Sequence, residues 1–233
     1  MPWIVPNPDY DPSKKLHFKY NNPYSVNLKS HDEALVENWN KMVPKGSNVY
    51  ILGDFAWKDH NHFIMALNGR KYMIIGSHDK MNQDSLKNFT EVNKFGMRAK
   101  IQGQEVILSH CAFRVWEGSF KGFTWSLYGH SHGRLPEFDN MFSFDIGVDT
   151  WGYTPVPWCA VVEKIRLKKE WIAKHGKYPV DGETRADGQY DKDPDQRVIE
   201  TRMKNKEIMR SLGYPIDDRM WPTEVLKWPS RAA

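Results

Sequence analysis

The chain has 233 residues, 40% of them hydrophobic and ten of them tryptophan, enough apolar surface to bury one good core, or one domain with an appendage. Its net charge of +4 does not by itself point to nucleic acid, and Cys111 and Cys159 build no disulfide framework, although a single bridge is compatible with them; a reducing cytoplasm fits. No apolar run reaches the ~18 residues of a membrane span, and the proline-rich start lacks a signal-peptide pattern, so the expectation is a soluble cytoplasmic protein.

Trp3-Ile4-Val5 reads as a short first strand, and Pro6 and Pro8 force the backbone after it to extend or turn. Asn7 and Asp9 stand two apart just beyond that strand end, where an Asn/Asp/Pro turn is the plainer reading. Asn21-Asn22-Pro23-Tyr24 marks another turn. Ser30-His31-Asp32-Glu33 has capping-box spacing; Leu35, Trp39 and Met42 then predict an amphipathic helix ending near Pro44.

Val49-Tyr50-Ile51-Leu52 predicts a buried parallel strand running into Gly53-Asp54. Phe63, Ala66 and Leu67 predict a crossover helix closed by Asn68-Gly69, with His60 and His62 on a loop or in the helix's first turn. Tyr72-Met73-Ile74-Ile75 ends in Gly76-Ser77-His78-Asp79. After a hairpin turn at Gly103-Gln104, Val106-Ile107-Leu108 ends in Ser109-His110, beside which Cys111 reads as a small buried residue. Residues 123–128 predict a buried strand entering Gly129-His130-Ser131-His132-Gly133. In an extended backbone the two histidines share one side, roughly 6.5–7 Å apart, and can converge on one metal ion or two. The flanking glycines permit a close backbone approach.

Phe142, Phe144, Ile146 and Val148 alternate with Ser143, Asp145, Gly147 and Asp149, predicting a half-buried strand. Residues 149–155 read as a loop and 159–162 as a last strand or a helix start. Charged helical patterns cover 163–175 and 194–211, on either side of a Gly/Asp/Pro-rich stretch at 178–193. The basic run 164–169 reads as a solvated helix face. This divides the chain into a domain at 1–165 and a charged extension at 166–233 that packs on the body, makes an oligomer contact or is partly disordered.

Four apolar strands that each deliver Asp or His at their carboxyl ends are hard to explain by core packing. In open α/β sheets the ligand site lies outside those ends. Asp54, His78, His110, His130 and His132 are therefore the candidate site.

With these residues in place, the chain resembles the calcineurin-like metallophosphoesterases, especially the small single-domain members of bacteria and bacteriophages. The matching pieces are Leu52-Gly53-Asp54, Gly76-Ser77-His78-Asp79, Ser109-His110 and Gly129-His130-Ser131-His132, within a resemblance spanning residues 3–160. It implies an α/β fold, a two-sheet β sandwich flanked by helices, here with a C-terminal helical extension. It also implies two divalent metal ions at the strand ends, Mn²⁺ first, with Mg²⁺, Fe or Zn²⁺ as alternatives. By resemblance Asp54 bridges the ions, His110 and His130 complete one site, and His132 belongs to the other. His78 contacts the phosphate and protonates the leaving oxygen, with Asp79 orienting it. Such ions acidify a water, clamp the phosphoryl oxygens and stabilise an in-line displacement. A positioned histidine acid adds about 10²–10⁴-fold.

Two motifs depart from the family pattern. Ser77 stands where the family has a metal-binding Asn, and a serine hydroxyl is shorter and a poorer ligand. The family's Asp-x-His after strand one is absent; Asn7 and Asp9 take those positions if residues 3–5 are that strand. The competing placement, Leu16-His17-Phe18, brings Lys15 towards the cation, which is unfavourable. An oxygen-richer first site favours Mn²⁺ or Mg²⁺ over Zn²⁺.

The expected function is a metal-dependent phosphoesterase, a phosphodiesterase acting on a nucleotide or nucleic-acid-derived phosphoester, with no membrane partner and the oligomeric state open. Substrate class here rests on fold analogy. Two other readings compete: a degenerate member with an incomplete metal site that binds or scaffolds through residues 166–233, and a nuclease whose aromatic, basic tail contacts a strand.

Overall fold

The computed structural model describes residues 4–6, 13, 24–26, 28–176 and 193–224, and in it the apolar runs become three separate sheets of a mixed α/β protein. Strands β3 (Asn48–Ile51), β4 (Arg70–Ile74) and β5 (Glu91–Asn93) form a parallel sheet in that order. Strands β6 (Met97–Ile101), β7 (Gln104–Leu108), β8 (Thr124–Tyr128) and β9 (Ser143–Asp145) form a second, parallel except for the β6–β7 hairpin. The hairpin turns at Gln102 (φ 48°) and Gly103 (φ 89°), one residue before the expected position. Two consecutive positive φ values match the right-handed twist of its strands.

The expected first strand is present as β1 (Ile4–Pro6). It pairs antiparallel with β2 (Tyr24–Val26) in a two-stranded sheet of its own, so Tyr24 opens a strand rather than closing a turn. Asn7 and Asp9, and the alternative Lys15 and His17, lie outside the described residues.

Helix α1 (Leu28–Met42) starts two residues before Ser30, which therefore sits inside the helix and not at its N-cap. Leu28 stands seven residues before Leu35, a spacing that adds a turn to the helical pattern. Helix α2 (His60–Ala66) makes the β3–β4 crossover and carries His60 and His62 in its first turn, and the one-turn helix α3 (Gln83–Leu86) lies between β4 and β5. Ile51, Ile64, Met73 and Phe89 bury a small core there, closed by Trp39, whose indole donates to the Asn68 carbonyl at 2.9 Å.

The main core unites Leu52 and Ile74 with Val106, Leu108, Trp125, Leu127 and Phe144 of the second sheet. It continues into helices α4 (Trp158–His175) and α5 (Pro194–Ser211) through Ile165, Ile208 and Met209. Residue 165 thus lies in mid-helix, and packing is continuous across it. Residues 159–162 belong to α4.

Two burial expectations are overturned. Lys164 and Lys168 are 4% and 2% exposed, because Glu137 reaches both ammonium groups at 2.8 and 3.0 Å; Arg166 and Lys169 keep the solvent side. Strand β9 is buried on all three residues instead of alternating, because Asp145 turns its carboxylate onto buried donors. Among the described residues, no helix is long and apolar enough to cross a membrane.

Candidate functional site

The ends of β3 and β4 approach so closely that only glycine fits between them. A Cβ on Gly53 (φ 88°) would lie 2.4 Å from His110 Nδ1, and one on Gly76 would lie 2.3 Å from the Asp54 amide nitrogen. Asp54 itself has φ 54°, a left-handed conformation that Asp tolerates better than most side chains. Asp79 holds this crossing together. Its Oδ2 accepts from the amides of Asp54 and Gly76, both at 2.7 Å, and its Oδ1 from Phe55 at 2.8 Å. The oxygens of Asp79 thus clamp the two strand ends, where the resemblance had it orienting His78. The His78 amide donates to Asp54 Oδ1 at 2.8 Å, while its imidazole lies against Trp57, centroids 4.7 Å apart and planes inclined by 23°.

His110 follows β7 and is 7% exposed. Its Nδ1 is 2.8 Å from the Leu52 carbonyl, which only accepts, so Nδ1 carries the hydrogen and Nε2 presents a lone pair. Around Nε2 stand His130 Nδ1 at 3.1 Å, Ser77 Oγ at 3.3 Å and Asp54 Oδ2 at 3.5 Å. A carboxylate, two imidazoles and a hydroxyl converging from four strand ends suit an intermediate-hardness divalent cation. Cys111 adds a thiol: its sulfur and the His110 and His130 nitrogens lie within 4.8 Å of one another. Cys111 is exposed, against expectation, because Ser109 Oγ donates to its carbonyl at 2.8 Å and turns the chain outward after β7. Both cysteines are free.

The loop at 129–133 is not extended. His130, His132 and Gly133 have φ of 65°, 51° and 74°, so the two imidazoles part company. Asp145, 3% exposed, fixes this shape: Oδ2 accepts from Ser131 Oγ at 2.6 Å and the Gly133 amide at 3.0 Å, and Oδ1 from Gly147 at 2.7 Å. Burial and the neighbouring Asp149 push the Asp145 carboxyl up, and those three hydrogen bonds pull it back. His132 turns to Asp149, Nδ1 to Oδ2 at 2.7 Å, a bond that raises its pKa against the effect of burial. Helix α5 fixes that partner: Arg202 Nε donates to the Asp149 carbonyl at 2.9 Å and Asn205 to the Thr150 carbonyl at 3.0 Å.

The side chains of Asp54, Ser77, His110 and His130 therefore meet. His78 joins through its backbone, Asp79 braces the site, and His132 stands with Asp149. Sequence reasoning missed Asp145, Asp149 and Trp57. For Asp145 the signal is the register pairing it with Tyr128, immediately before the histidine loop, which only the assembled sheet reveals.

No family model matches the chain. It is 28% identical over 159 residues to an uncharacterized protein of Methanocaldococcus jannaschii, covering 64% of this chain and 82% of that protein. Similarity to the Gene 66 protein of Mycobacterium phage L5 is 28% over 158 residues, covering 54% of this chain and 76% of the phage protein. Among solved structures, a protein of unknown function from Aquifex aeolicus shares 24% identity at a TM-score of 0.43, over 55% of this chain and 81% of that one.

Proposed function

We propose that the chain is a metal-dependent phosphoesterase whose two larger sheets have a calcineurin-like arrangement, acting as a phosphodiesterase on a nucleotide or nucleic-acid-derived ester. The observation that carries the reading is the cluster around His110 Nε2. A carboxylate oxygen of Asp54, the Ser77 hydroxyl and the His130 Nδ1 face it at 3.1–3.5 Å, while Leu52 fixes its tautomer. A hydrogen-bonded partner on the far nitrogen is the usual way a ligating histidine is oriented.

Asp54, His110 and His130, with Ser77, would hold one divalent ion. His132 has Nε2 left for a second, with Asp149 on its Nδ1, and Asn7 and Asp9 are the remaining oxygen donors from the sequence. When bound, such ions generate a nucleophilic water at neutral pH and neutralise charge on the phosphoryl oxygens. His78 supplies the proton to the leaving oxygen. Its main chain is tied to Asp54, and Asp79 keeps that loop in place.

The test is hydrolysis of bis(4-nitrophenyl) and mono(4-nitrophenyl) phosphate with and without Mn²⁺, comparing wild type with Asp54→Asn and His78→Ala. Diester cleavage that needs the ion and is lost in Asp54→Asn is the expected result. No turnover with Mn²⁺, Mg²⁺, Fe²⁺ or Zn²⁺, in a protein that nevertheless binds the ion, overturns it in favour of a binding or scaffold protein.

A further inference from the structure

Trp57 is 78% exposed and three residues from Asp54, yet its loop is firmly tied. On one side, Asp79 holds the amides of Asp54 and Phe55. On the other, His60 Nε2 bonds the Ala56 carbonyl at 2.8 Å as α2 begins. One face of the indole rests on the His78 imidazole and Trp57 remains mostly open to solvent. A lone exposed apolar residue needs no explanation. An indole held in a fixed loop, stacked in near-parallel fashion on the candidate acid, is a preformed aromatic platform.

We infer that Trp57 stacks on the base of a nucleoside leaving group. The inference rests on the phosphoesterase reading and names its substrate class. His78 delivers its proton to the departing oxygen, so the ring packed against His78 stands on the leaving-group side of the phosphorus. A nucleobase offers that ring a π-face; the aliphatic alcohol of a serine or threonine phosphoester offers none. The exposed Lys58 and Lys80, next to Trp57 and Asp79 in the chain, provide positive charge near the same rim. The reaction breaks the bond between phosphorus and the nucleoside oxygen, and water supplies the new oxygen on phosphorus. The nucleoside oxygen takes one proton from His78 to leave as the neutral alcohol, the attacking water's proton restoring His78.

The test is calorimetric binding of thymidine 5′-monophosphate and methyl phosphate to the Mn²⁺-loaded full chain, for wild type, Trp57→Leu and Trp57→Phe. Base stacking on an aromatic side chain is worth about 5- to 150-fold in affinity. Wild type is expected to prefer the nucleotide by at least about tenfold. Trp57→Leu should erase that preference and keep methyl phosphate affinity, and Trp57→Phe should restore most of it. An unchanged preference in Trp57→Leu overturns the inference, as does equal weakening of both ligands, which would make Trp57 a support for His78 only. If methyl phosphate binds and wild type shows no nucleotide preference, this inference alone falls. If neither phosphate binds the loaded protein, the phosphoesterase reading falls with it.

Discussion

His110 Nε2 and His130 Nδ1 lie 3.1 Å apart. With Nδ1 of His110 committed to Leu52, that short contact either carries one hydrogen from His130 or closes on a cation. Ion binding therefore requires His130 to carry its hydrogen on Nε2, and it couples to folding. Saturating Mn²⁺ at about 100 times Kd should stabilise the protein by about 2.7 kcal/mol, on the order of 5–10 °C in Tm. His110→Ala and His130→Ala should lose that shift in a thermal scan. Cys111→Ser should weaken Zn²⁺ more than Mn²⁺, since the softer ion gains more from a thiolate. Equal Tm shifts in wild type and His110→Ala would refute the centre.

The histidine loop depends on a residue that touches neither imidazole. Asp145 accepts from Ser131, Gly133 and Gly147, and in Asp145→Asn one main-chain amide must face an NH₂ group instead of an oxygen. Leaving a buried donor unsatisfied costs about 1–3 kcal/mol. The expected result is a lower Tm together with Mn²⁺ affinity weakened about 10- to 100-fold, as for other residues that orient metal ligands. A variant with reduced Tm and unaltered Mn²⁺ affinity would show that Asp145 supports the fold alone.

The role of His78 can be read from its leaving-group dependence. Nitrophenolate departs without a proton, whereas a nucleoside alkoxide needs one, so an acid matters far more for the second. His78→Ala should slow an unactivated dinucleotide by about 10²–10⁴-fold and bis(4-nitrophenyl) phosphate by much less. Equal losses on both esters would assign His78 to phosphate binding instead of proton transfer.

Strands β3, β4, β7 and β8 were legible because each is a short apolar run stopped by Gly, Asp, Ser or His, and these endings brought Asp54, Ser77, His110 and His130 to one point. What stayed hidden depends on partners distant in sequence. Residues 4–6 find 24–26, and Asp145 is drawn inward by donors on another loop. Lys164 and Lys168 did carry a signal: with Val161 and Ile165 they lie on one helical stripe, the buried one. The density of charge there masked it, because the compensating Glu137 comes from a loop some thirty residues earlier.

Glu137 gives that network a pH signature. Burial works against its negative charge, but Lys164 and Lys168 outweigh it and hold the carboxyl at about 2, below its ordinary 4.5. A depressed folded-state pKa contributes stability that is present above about 4.5 and lost as pH falls towards 2, here about 3 kcal/mol. Burial pushes Lys164 down from its ordinary 10.5, while Glu137 pulls it back up. Its ammonium also bonds Asn205 at 2.8 Å and lies 4.8 Å from the Phe144 ring, tying α5 to the sheet that carries His130. Glu137→Gln strands two buried ammonium groups, which should cost about 3–5 kcal/mol at neutral pH. Urea unfolding at pH 7, 5 and 3 should show the wild type losing its advantage over Glu137→Gln as the acid range is entered. Stability curves that stay parallel across that range would show that the pair is not coupled to folding through Glu137.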